Sequence, residues 1–273
     1  MAGKLYVLGT PIGNLEDFSP RAQRILGEVD FIAAEDTRVT VKLLNHFGIS
    51  KPMVAYFEHN KKERGETVIE RLLGGESCAL VTDAGMPAIS DPGEDLVREA
   101  REKGIDVESV PGPTAFATAL AISGMPSGRF CFEGFLSVNK QSRIKHLEEV
   151  KSEHRTMIFY EAPHKLVRTL DDMYQVFGER NIAIARELTK IHETVMRTTL
   201  GEAIEYYKTQ EPRGEYVLII EGAKEEIQVY TLDDAVRLAK QLISEGQSTS
   251  FAAKEAAKIT GIKKSDIYKQ LLD

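Results

Sequence analysis

The sequence predicts an α/β protein with two unlike α/β domains and a small C-terminal helical region. Short apolar or β-branched runs alternate with helical patterns through most of the 273-residue chain, as in βαβ units around a largely parallel sheet. After the turn-rich segment Ser123–Arg129 the strands become longer. From Leu232 onward no strand pattern remains. We therefore predict domains at residues 1–123, 124–226 and 227–273.

The first domain is predicted to contain five strands, each followed by a helix. The strands are expected at Leu5–Leu8, Phe31–Ala34, Met53–Tyr56, Ala79–Thr82 and Val107–Val110. The helices are expected near residues 20–27, 39–47, 61–73, 93–103 and 114–123. The fourth helix has the clearest start, because Asp91 can cap it and Pro92 suits its first position, and Gly104 ends it.

The second domain and the tail differ in their elements. In the second domain, strands are expected at Arg129–Leu136, Thr156–Tyr160, Ile182–Arg186, Thr194–Leu200 and Tyr216–Glu221. In the tail, short helices are expected at Leu232–Glu245, Phe251–Ile259 and Lys264–Leu272, separated by Gly246 and Gly261. The last two helices resemble a helix-turn-helix, whose connecting turn often contains glycine.

The charge balance argues against a nucleic-acid binder held by bulk positive charge. The chain has 35 Lys and Arg against 42 Asp and Glu, a net charge of −7. An RNA partner would therefore have to meet local basic patches. The candidates are residues 61–64, 140–146 and 251–273, the last with five lysines and three acidic residues.

The cysteines and histidines predict neither a disulfide framework nor a metal site. Cys78 and Cys131 are far apart in sequence, and none of the six histidines has a partner at metal-ligand spacing. The cysteine usage fits a reducing cytoplasm. No apolar run is long enough for a signal peptide or a membrane span. We therefore expect a cytoplasmic protein with no membrane partner.

The loops that follow the strands are the candidate ligand-binding segments, because ligands of open α/β sheets bind at the carboxyl ends of strands. Gly9–Asn14 follows the first strand but is neither a dinucleotide fingerprint nor a P-loop, which leaves another adenosine-containing ligand open. Thr82–Gly93 is longer than a turn requires, and Asp83 could compensate a cationic centre. Three further loops, Pro111–Ala115, Tyr160–His164 and Ala185–Thr189, come from both halves and predict a cleft between the two domains.

Six motifs in order resemble the small-subunit ribosomal RNA methyltransferases of the tetrapyrrole methylase superfamily. They are Gly9–Leu15, Ala34–Arg38, Thr82–Gly93, Val110–Ala115, Tyr160–His164 and Ala185–Lys190. The resemblance covers about residues 4–222, and the tail matches more loosely. It implies a homodimer that binds S-adenosylmethionine in a cleft between two unlike α/β domains. Porphyrin-modifying members usually carry Gly-Asp-Pro where this chain has Asp83–Gly85, which favours the RNA branch.

The resemblance also implies a set of site residues. Those expected to line the methyl-donor pocket are Pro11, Asp83, Ala84, Gly85, Met86, Thr114, Ala115, Ala185, Arg186, Gly214, Glu215 and Tyr216. The implied reaction is 2′-O-methylation of a cytidine in the decoding region of 16S ribosomal RNA. The sequence leaves open whether naked RNA or the assembled small ribosomal subunit is the substrate.

The sequence leaves the catalytic residues open. Glu161, Glu187 and Asp36 could accept the proton, while Arg186 and Arg38 could hold a phosphate or orient a carboxylate. Asp36 could equally be an ordinary helix cap with an ion pair. Two other functions stay open, a small-molecule methylase of the tetrapyrrole type and a non-catalytic module that binds a nucleotide and RNA.

Overall fold

The computed structural model describes residues 2–224 and 230–272 of the chain. The chain forms two compact units, Met1–Ala223 and Lys224–Asp273, and the first unit contains both β-sheets. The predicted boundary between residues 226 and 227 lies outside the described residues. In the described part of the chain, no helix is both long enough and apolar enough to cross a membrane.

The first sheet is entirely parallel. Its spatial order is β3-β2-β4-β1-β5, with β1 at Lys4–Leu8, β2 at Phe31–Ala34, β3 at Met53–Ala55, β4 at Cys78–Val81 and β5 at Asp106–Val110. The helices of this half are α1 (Pro20–Glu28), α2 (Thr37–His46), α3 (Lys61–Leu73), α4 (Glu94–Glu102) and α5 (Ala115–Ser123). Strands β2 and β4 are buried along their whole length, as expected for parallel strands covered on both faces.

The predicted elements of this half agree with the structure to within two residues, except for the cap of α4. Gly93, with φ of 142°, is the N-cap of α4, and no side chain caps the helix. A Cβ on Gly93 would come within 2.8 Å of the Leu80 side chain, so the chain turns at this glycine before the helix begins. The predicted capping role of Asp91 is therefore wrong. Gly104 follows the helix with φ of 71°, as predicted.

The second sheet is mixed, which corrects the prediction of largely parallel pairing through most of the chain. Its order is β6-β7-β10-β8-β9, and β6 and β7 are its one parallel pair among the described strands. The strands are β6 (Phe130–Phe135), β7 (Thr156–Glu161), β8 (Asn181–Arg186), β9 (Thr194–Thr199) and β10 (Tyr216–Ile220), and the helices are α6 (Lys140–Val150), α7 (Leu166–Phe177) and α8 (Leu200–Tyr207). Strand β10 lies between β7 and β8 and is antiparallel to both. The apolar pattern of a buried strand does not indicate the direction in which the strand runs.

Helix α5 joins the two halves of the first unit. Its buried residues Ala119 and Leu120 share a core cluster with Ile158, Val217 and Ile219 of the second sheet. The last carbonyls of the helix, those of residues 122 and 123, accept hydrogen bonds from the guanidinium group of residue 197 in β9. The predicted domain boundary after residue 123 lies at the end of this shared helix.

The C-terminal unit is a bundle of three helices with an alanine-rich core. The helices are α9 (Leu232–Ser244), α10 (Thr249–Thr260) and α11 (Lys264–Leu272). Gly246 and Gly261, both with positive φ, follow the first two, where the sequence predicts the breaks. Small side chains such as Ala239 and Ala253 pack with Ile267, which lets the helices approach closely.

Candidate active site

A cavity of about 540 Å³ lies at the carboxyl ends of strands from both sheets. The first half contributes the loops after β1, β2, β4 and β5, and the second half contributes the segments at β6, β7, β8 and β10. The cavity is lined by Ile12, Glu35, Thr82, Asp83, Ala84, Gly85, Met86, Ile89, Asp91, Thr114, Ala115, Phe135, Tyr160, Glu161, Ala162, Pro163, His164, Leu188, Glu215, Tyr216 and Val217. This cavity therefore corresponds to the predicted ligand-binding cleft between the two halves.

One wall of the cavity is held by a short antiparallel bridge between Thr10 and Gly85. The Thr10 amide donates to the Gly85 carbonyl at 2.9 Å, and the Gly85 amide donates to the Thr10 carbonyl at 3.1 Å. The Thr10 hydroxyl also donates to the Thr82 carbonyl at 3.1 Å. Gly85 has φ of 91°, a conformation that other residues adopt at a cost. These hydrogen bonds hold the backbone of the loop after β4 against the loop after β1.

Backbone strain is concentrated beside this cavity. Four non-glycine residues of the described chain have positive φ, and they are Ala88, Ser90, Glu187 and Thr189. The first two belong to the loop after β4 and the other two to the loop after β8, and both loops contribute to the cavity wall. Such conformations cost about 1–3 kcal/mol each and are found where the surrounding structure holds a functional geometry.

An aromatic side connects the second sheet to α5. The Phe116 amide, in the first turn of α5, donates to the Tyr160 hydroxyl at 3.1 Å. Tyr160 also packs on Phe135, with ring centroids 5.3 Å apart. Burial raises the pKa of Tyr160 to about 12, so the hydroxyl is neutral at physiological pH. Its oxygen satisfies an amide that the start of a helix leaves without an intrahelical partner.

Three carboxylates surround Thr82 on another part of the wall. The Thr82 hydroxyl donates to Glu35, and the Asp83 amide donates to the same Glu35 oxygen at 3.3 Å. Burial, followed by the charge of Glu35, raises the pKa of Asp91 to about 7 and also raises the pKa of Asp83. Among the described residues, none of these three carboxylates forms a salt bridge. This side of the cavity carries uncompensated negative charge.

Most of the residues predicted for the methyl-donor pocket lie on the cavity wall. The eight that line it are Asp83, Ala84, Gly85, Met86, Thr114, Ala115, Glu215 and Tyr216. Of the other four, Pro11 lines a neighbouring cavity of about 410 Å³, and Ala185 is fully buried within the second sheet. Arg186 donates to the Arg213 carbonyl at 2.7 Å, and Gly214 packs against the Glu187 side chain.

The four predicted catalytic residues are not brought together. Glu161 lines the cavity, but Arg186, Glu187 and Asp36 are absent from its wall. Each of the three carboxylates is paired with a cation. Glu161 contacts Lys165 at 2.8 Å, Glu187 contacts Lys190 at 2.9 Å, and Asp36 contacts Arg38 at 2.6 Å.

Asp36 has the ordinary role that the sequence left open. It is the N-cap of α2 and accepts a hydrogen bond from the Arg38 amide. Hydrogen bonds from Arg38 hold its pKa at about 2. The preceding residue, Glu35, lines the cavity instead. Because β2 is buried on both sides, no alternation in the sequence distinguished which of the two adjacent carboxylates faces inward.

Sequence reasoning missed several wall residues. Ile12, Phe135, Leu188 and Val217 are apolar and look like ordinary core positions in the sequence. Asp91 was assigned to a helix cap, although its place in a loop with two prolines and two glycines was a usable signal. In the described part of the chain, no three His, Cys, Asp or Glu side chains form a group that could hold a metal ion.

Family comparisons agree with this architecture. Residues 4–204 match the family described as Tetrapyrrole (Corrin/Porphyrin) Methylases, and residues 231–273 match the RsmI C-terminal HTH domain. Among solved structures, the methyltransferase CobJ gives a TM-score of 0.63 at 20% identity, covering 81% of this chain and 95% of that one. A uroporphyrin-III C-methyl transferase from Thermus thermophilus, complexed with S-adenyl homocysteine, gives a TM-score of 0.57 at 18% identity. The match covers 84% of this chain and 100% of that one. These two similarities concern the fold.

Relatives with much higher identity extend over nearly the whole chain. The ribosomal RNA small subunit methyltransferase I of Halalkalibacterium halodurans is 47% identical over 270 residues, 97% of this chain and 93% of its own. The protein of the same name from Pseudomonas aeruginosa is 47% identical over 279 residues, 99% of this chain and 97% of its own. The chain therefore belongs to the tetrapyrrole methylase family and, within it, to the ribosomal RNA small subunit methyltransferase I family.

Proposed function

We propose that this protein transfers a methyl group from S-adenosylmethionine to a ribose 2′-oxygen of a cytidine in 16S ribosomal RNA. The observation that carries the proposal is the cavity between the sheets, where Glu35, Asp83 and Asp91 present negative charge without a salt-bridge partner in the described chain. S-adenosylmethionine carries a sulfonium cation, which such a wall complements. The names of the close relatives support ribosomal RNA as the substrate class.

The residues present fit the methyl donor. A volume of about 540 Å³ is in the ordinary range for small-molecule sites. Asp83–Met86 would form one wall, and Glu215 with Tyr216 would face them from the second sheet. When bound, the donor supplies an activated methyl group on a good leaving group. The protein's contribution is then mainly alignment, which is worth on the order of 7–11 kcal/mol for a well-oriented pair.

Contacts with RNA are assigned to exposed lysines of the tail. Lys254, Lys258, Lys263, Lys264 and Lys269 are all exposed. Within residues 230–272, none of these five forms a salt bridge with a carboxylate. They offer positive charge to phosphates on an otherwise acidic chain.

The candidate patch at residues 140–146 is smaller than the sequence suggests. Arg143 is buried and pairs with Asp172 at 2.6 Å, and His146 contacts Glu133 at 3.0 Å. Only the two lysines of that run, Lys140 and Lys145, are exposed cations. At residues 61–64, Lys61 is engaged by Glu58 and Asp95.

Three further parts of the proposal concern the setting of the reaction. The substrate is the assembled small subunit, the reaction takes place in the cytoplasm, and the enzyme acts as a homodimer, as the family resemblance implies. Light scattering at micromolar concentration tests the last point. A dimer gives about twice the 30.4 kDa mass of one chain, whereas a mass near one chain would rule it out.

The reaction is tested by incubating the protein with methyl-labelled S-adenosylmethionine and three acceptors in parallel. The acceptors are small ribosomal subunits, naked 16S ribosomal RNA and a tetrapyrrole. We expect label in the RNA of the subunits. Label in the tetrapyrrole alone would support a small-molecule methylase, and donor binding without transfer to any acceptor would support a non-catalytic module.

A further inference from the structure

A second cavity of about 470 Å³ adjoins the first and shares part of its wall. Of the described residues, Glu35 and Asp91 are the two that line both cavities. The rest of the second wall comes from residues 57–59 after β3 and from residues 88–94 before and at the start of α4. If the first cavity holds the methyl donor, these two carboxylates stand where a second ligand would meet it.

The second cavity has the chemistry of a nucleoside site. Phe57 is 39% exposed and offers an aromatic ring for stacking of an unstacked base. Glu58 and Glu94 line this cavity with carboxylates, of which Glu58 pairs with Lys61 through one oxygen. The other oxygen of a carboxylate can accept from the amino group of cytosine. No Lys or Arg of the described chain lines this cavity, so its interior does not favour phosphate. An uncharged base and ribose match it better than the backbone of the RNA.

Asp91 is free to take a proton, in contrast to the carboxylates that are held by cations. Glu161, Glu187 and Asp36 each have a cationic partner within 3 Å, and these cations lower the pKa of Glu187 and of Asp36. Asp91 forms no such pair in residues 2–224 or 230–272. Burial, followed by the charge of Glu35, raises the pKa of Asp91 to about 7, which suits a general base at neutral pH.

The charged and titratable groups around Asp91 come from both sheets and from the second cavity. They are Glu35, Asp83 and Tyr160 around the first cavity, and Glu58, His59 and Glu94 along the second. Of these, Glu35 and Asp83 oppose ionisation of Asp91 and so strengthen it as a base, whereas Glu58 and Glu94 are paired with Lys61 and Arg98. A cation bound in the first cavity would favour ionisation of Asp91 and lower its pKa.

We propose that the target nucleoside enters the second cavity and that Asp91 accepts the proton of its ribose hydroxyl. This inference rests on the proposed function. In the transfer, the oxygen–carbon bond forms as the sulfur–carbon bond breaks, its electron pair stays on sulfur, and the hydroxyl proton passes to the Asp91 carboxylate. Glu35, which shares the junction, accepts from the Thr82 hydroxyl and so positions the residue that contacts Asp91.

The test is the pH dependence of single-turnover methylation of small ribosomal subunits at saturating S-adenosylmethionine. Wild type is compared with Asp91→Asn, with Asp91→Glu and with the control Glu99→Gln. Glu99 lies on α4, the helix that follows this loop, pairs with Lys103 and lines neither cavity. Calorimetry measures the affinity for S-adenosylmethionine, and thermal unfolding verifies that each variant is folded.

We expect the wild-type rate to rise with pH and to level off at or below about pH 7, because the bound sulfonium cation lowers the pKa of Asp91 from its value in the free protein. Asp91→Asn should lower the plateau rate about 100-fold and abolish this pH dependence. Saturating S-adenosylmethionine removes from this rate any weakening of donor binding that follows from the loss of one carboxylate at the cavity wall. Asp91→Glu should recover part of the rate together with a pH dependence, and Glu99→Gln should match wild type.

Two results would overturn the assignment of Asp91. One is a wild-type rate and pH profile in Asp91→Asn. The other is a slow Asp91→Asn that keeps the wild-type pH profile, because that indicates a purely structural role. Failure of the wild type to methylate any subunit would instead refute the proposed function, and this inference with it.

Discussion

Replacing Asp91 with asparagine should stabilise the protein at alkaline pH and leave its stability at acidic pH almost unchanged. In the folded protein, burial and the charge of Glu35 raise the pKa of Asp91 from 3.8 to about 7. A raised carboxyl pKa contributes stability that is fully present below the unfolded pKa and is lost as the pH rises through the folded value. Above about pH 7 the folded protein therefore holds an ionised, poorly solvated carboxylate that the unfolded chain would solvate well.

The expected gain in stability follows from how far the pKa of Asp91 is raised in the folded protein. About three pKa units correspond to about 4 kcal/mol, but Asp91 is only partly buried, and solvent screening reduces the figure to about 1–2 kcal/mol. For a folding unit of the size of Met1–Ala223, a change of about 1 kcal/mol in the free energy of unfolding changes the melting temperature by about 2–4 °C. Asp91→Asn should thus raise the melting temperature by about 2–8 °C near pH 8.5 and by little near pH 4.

The assay is thermal unfolding followed by circular dichroism across this pH range, with Asp95→Asn as a control of opposite sign. Asp95 pairs with Lys61 and Arg98, which lower its pKa, so its loss should not stabilise the protein at alkaline pH. A lower melting temperature for Asp91→Asn near pH 8.5, or the same difference at both ends of the range, would refute the reasoning.

Three further predictions concern the cavity and the tail. Gly85→Val should weaken S-adenosylmethionine binding at least about tenfold by calorimetry, because a β-branched residue cannot readily adopt φ of 91°, and unchanged affinity would argue against this wall. Tyr160→Phe leaves the Phe116 amide without its acceptor and should cost about 1–3 kcal/mol in urea unfolding, so a neutral result would contradict the bond. Lys263→Glu with Lys264→Glu should weaken RNA binding and flatten its salt dependence without changing donor affinity, and an unchanged salt slope would exclude this patch.

The parallel half of the fold was predictable because its signals are local. Runs such as Phe31–Ala34 are short, wholly apolar and bounded by polar turns, and the structure has a strand with those bounds. The direction of the strands in the second half was not predictable in this way. Tyr216–Ile220 is equally apolar, but it lies antiparallel between β7 and β8, and this depends on contacts made far along the chain.

The site was predictable to the extent that it lies on loops directly after strands. The loop Thr82–Gly93 was identified because glycine and proline cluster there beyond the needs of a turn, and the family resemblance assigned Asp83–Met86 of this loop to the donor pocket. These residues line the cavity. The proposed proton acceptor could not be inferred from the sequence. Glu161 and Asp91 are both acidic residues near strand ends, and only the three-dimensional structure shows that Lys165 neutralises the first while the second has no salt bridge in the described chain. Ion pairing is decided by packing, which a single sequence does not display.

The position of the methyl group after reaction tests the proposed ribose methylation of 16S ribosomal RNA. Small ribosomal subunits are incubated with the protein and S-adenosylmethionine, the 16S ribosomal RNA is digested, and mass spectrometry identifies the modified nucleotide and the atom that carries the methyl group. We expect a single cytidine methylated on its ribose 2′-oxygen. A methyl group on a base, or no methyl group on RNA while a tetrapyrrole is methylated, would contradict it.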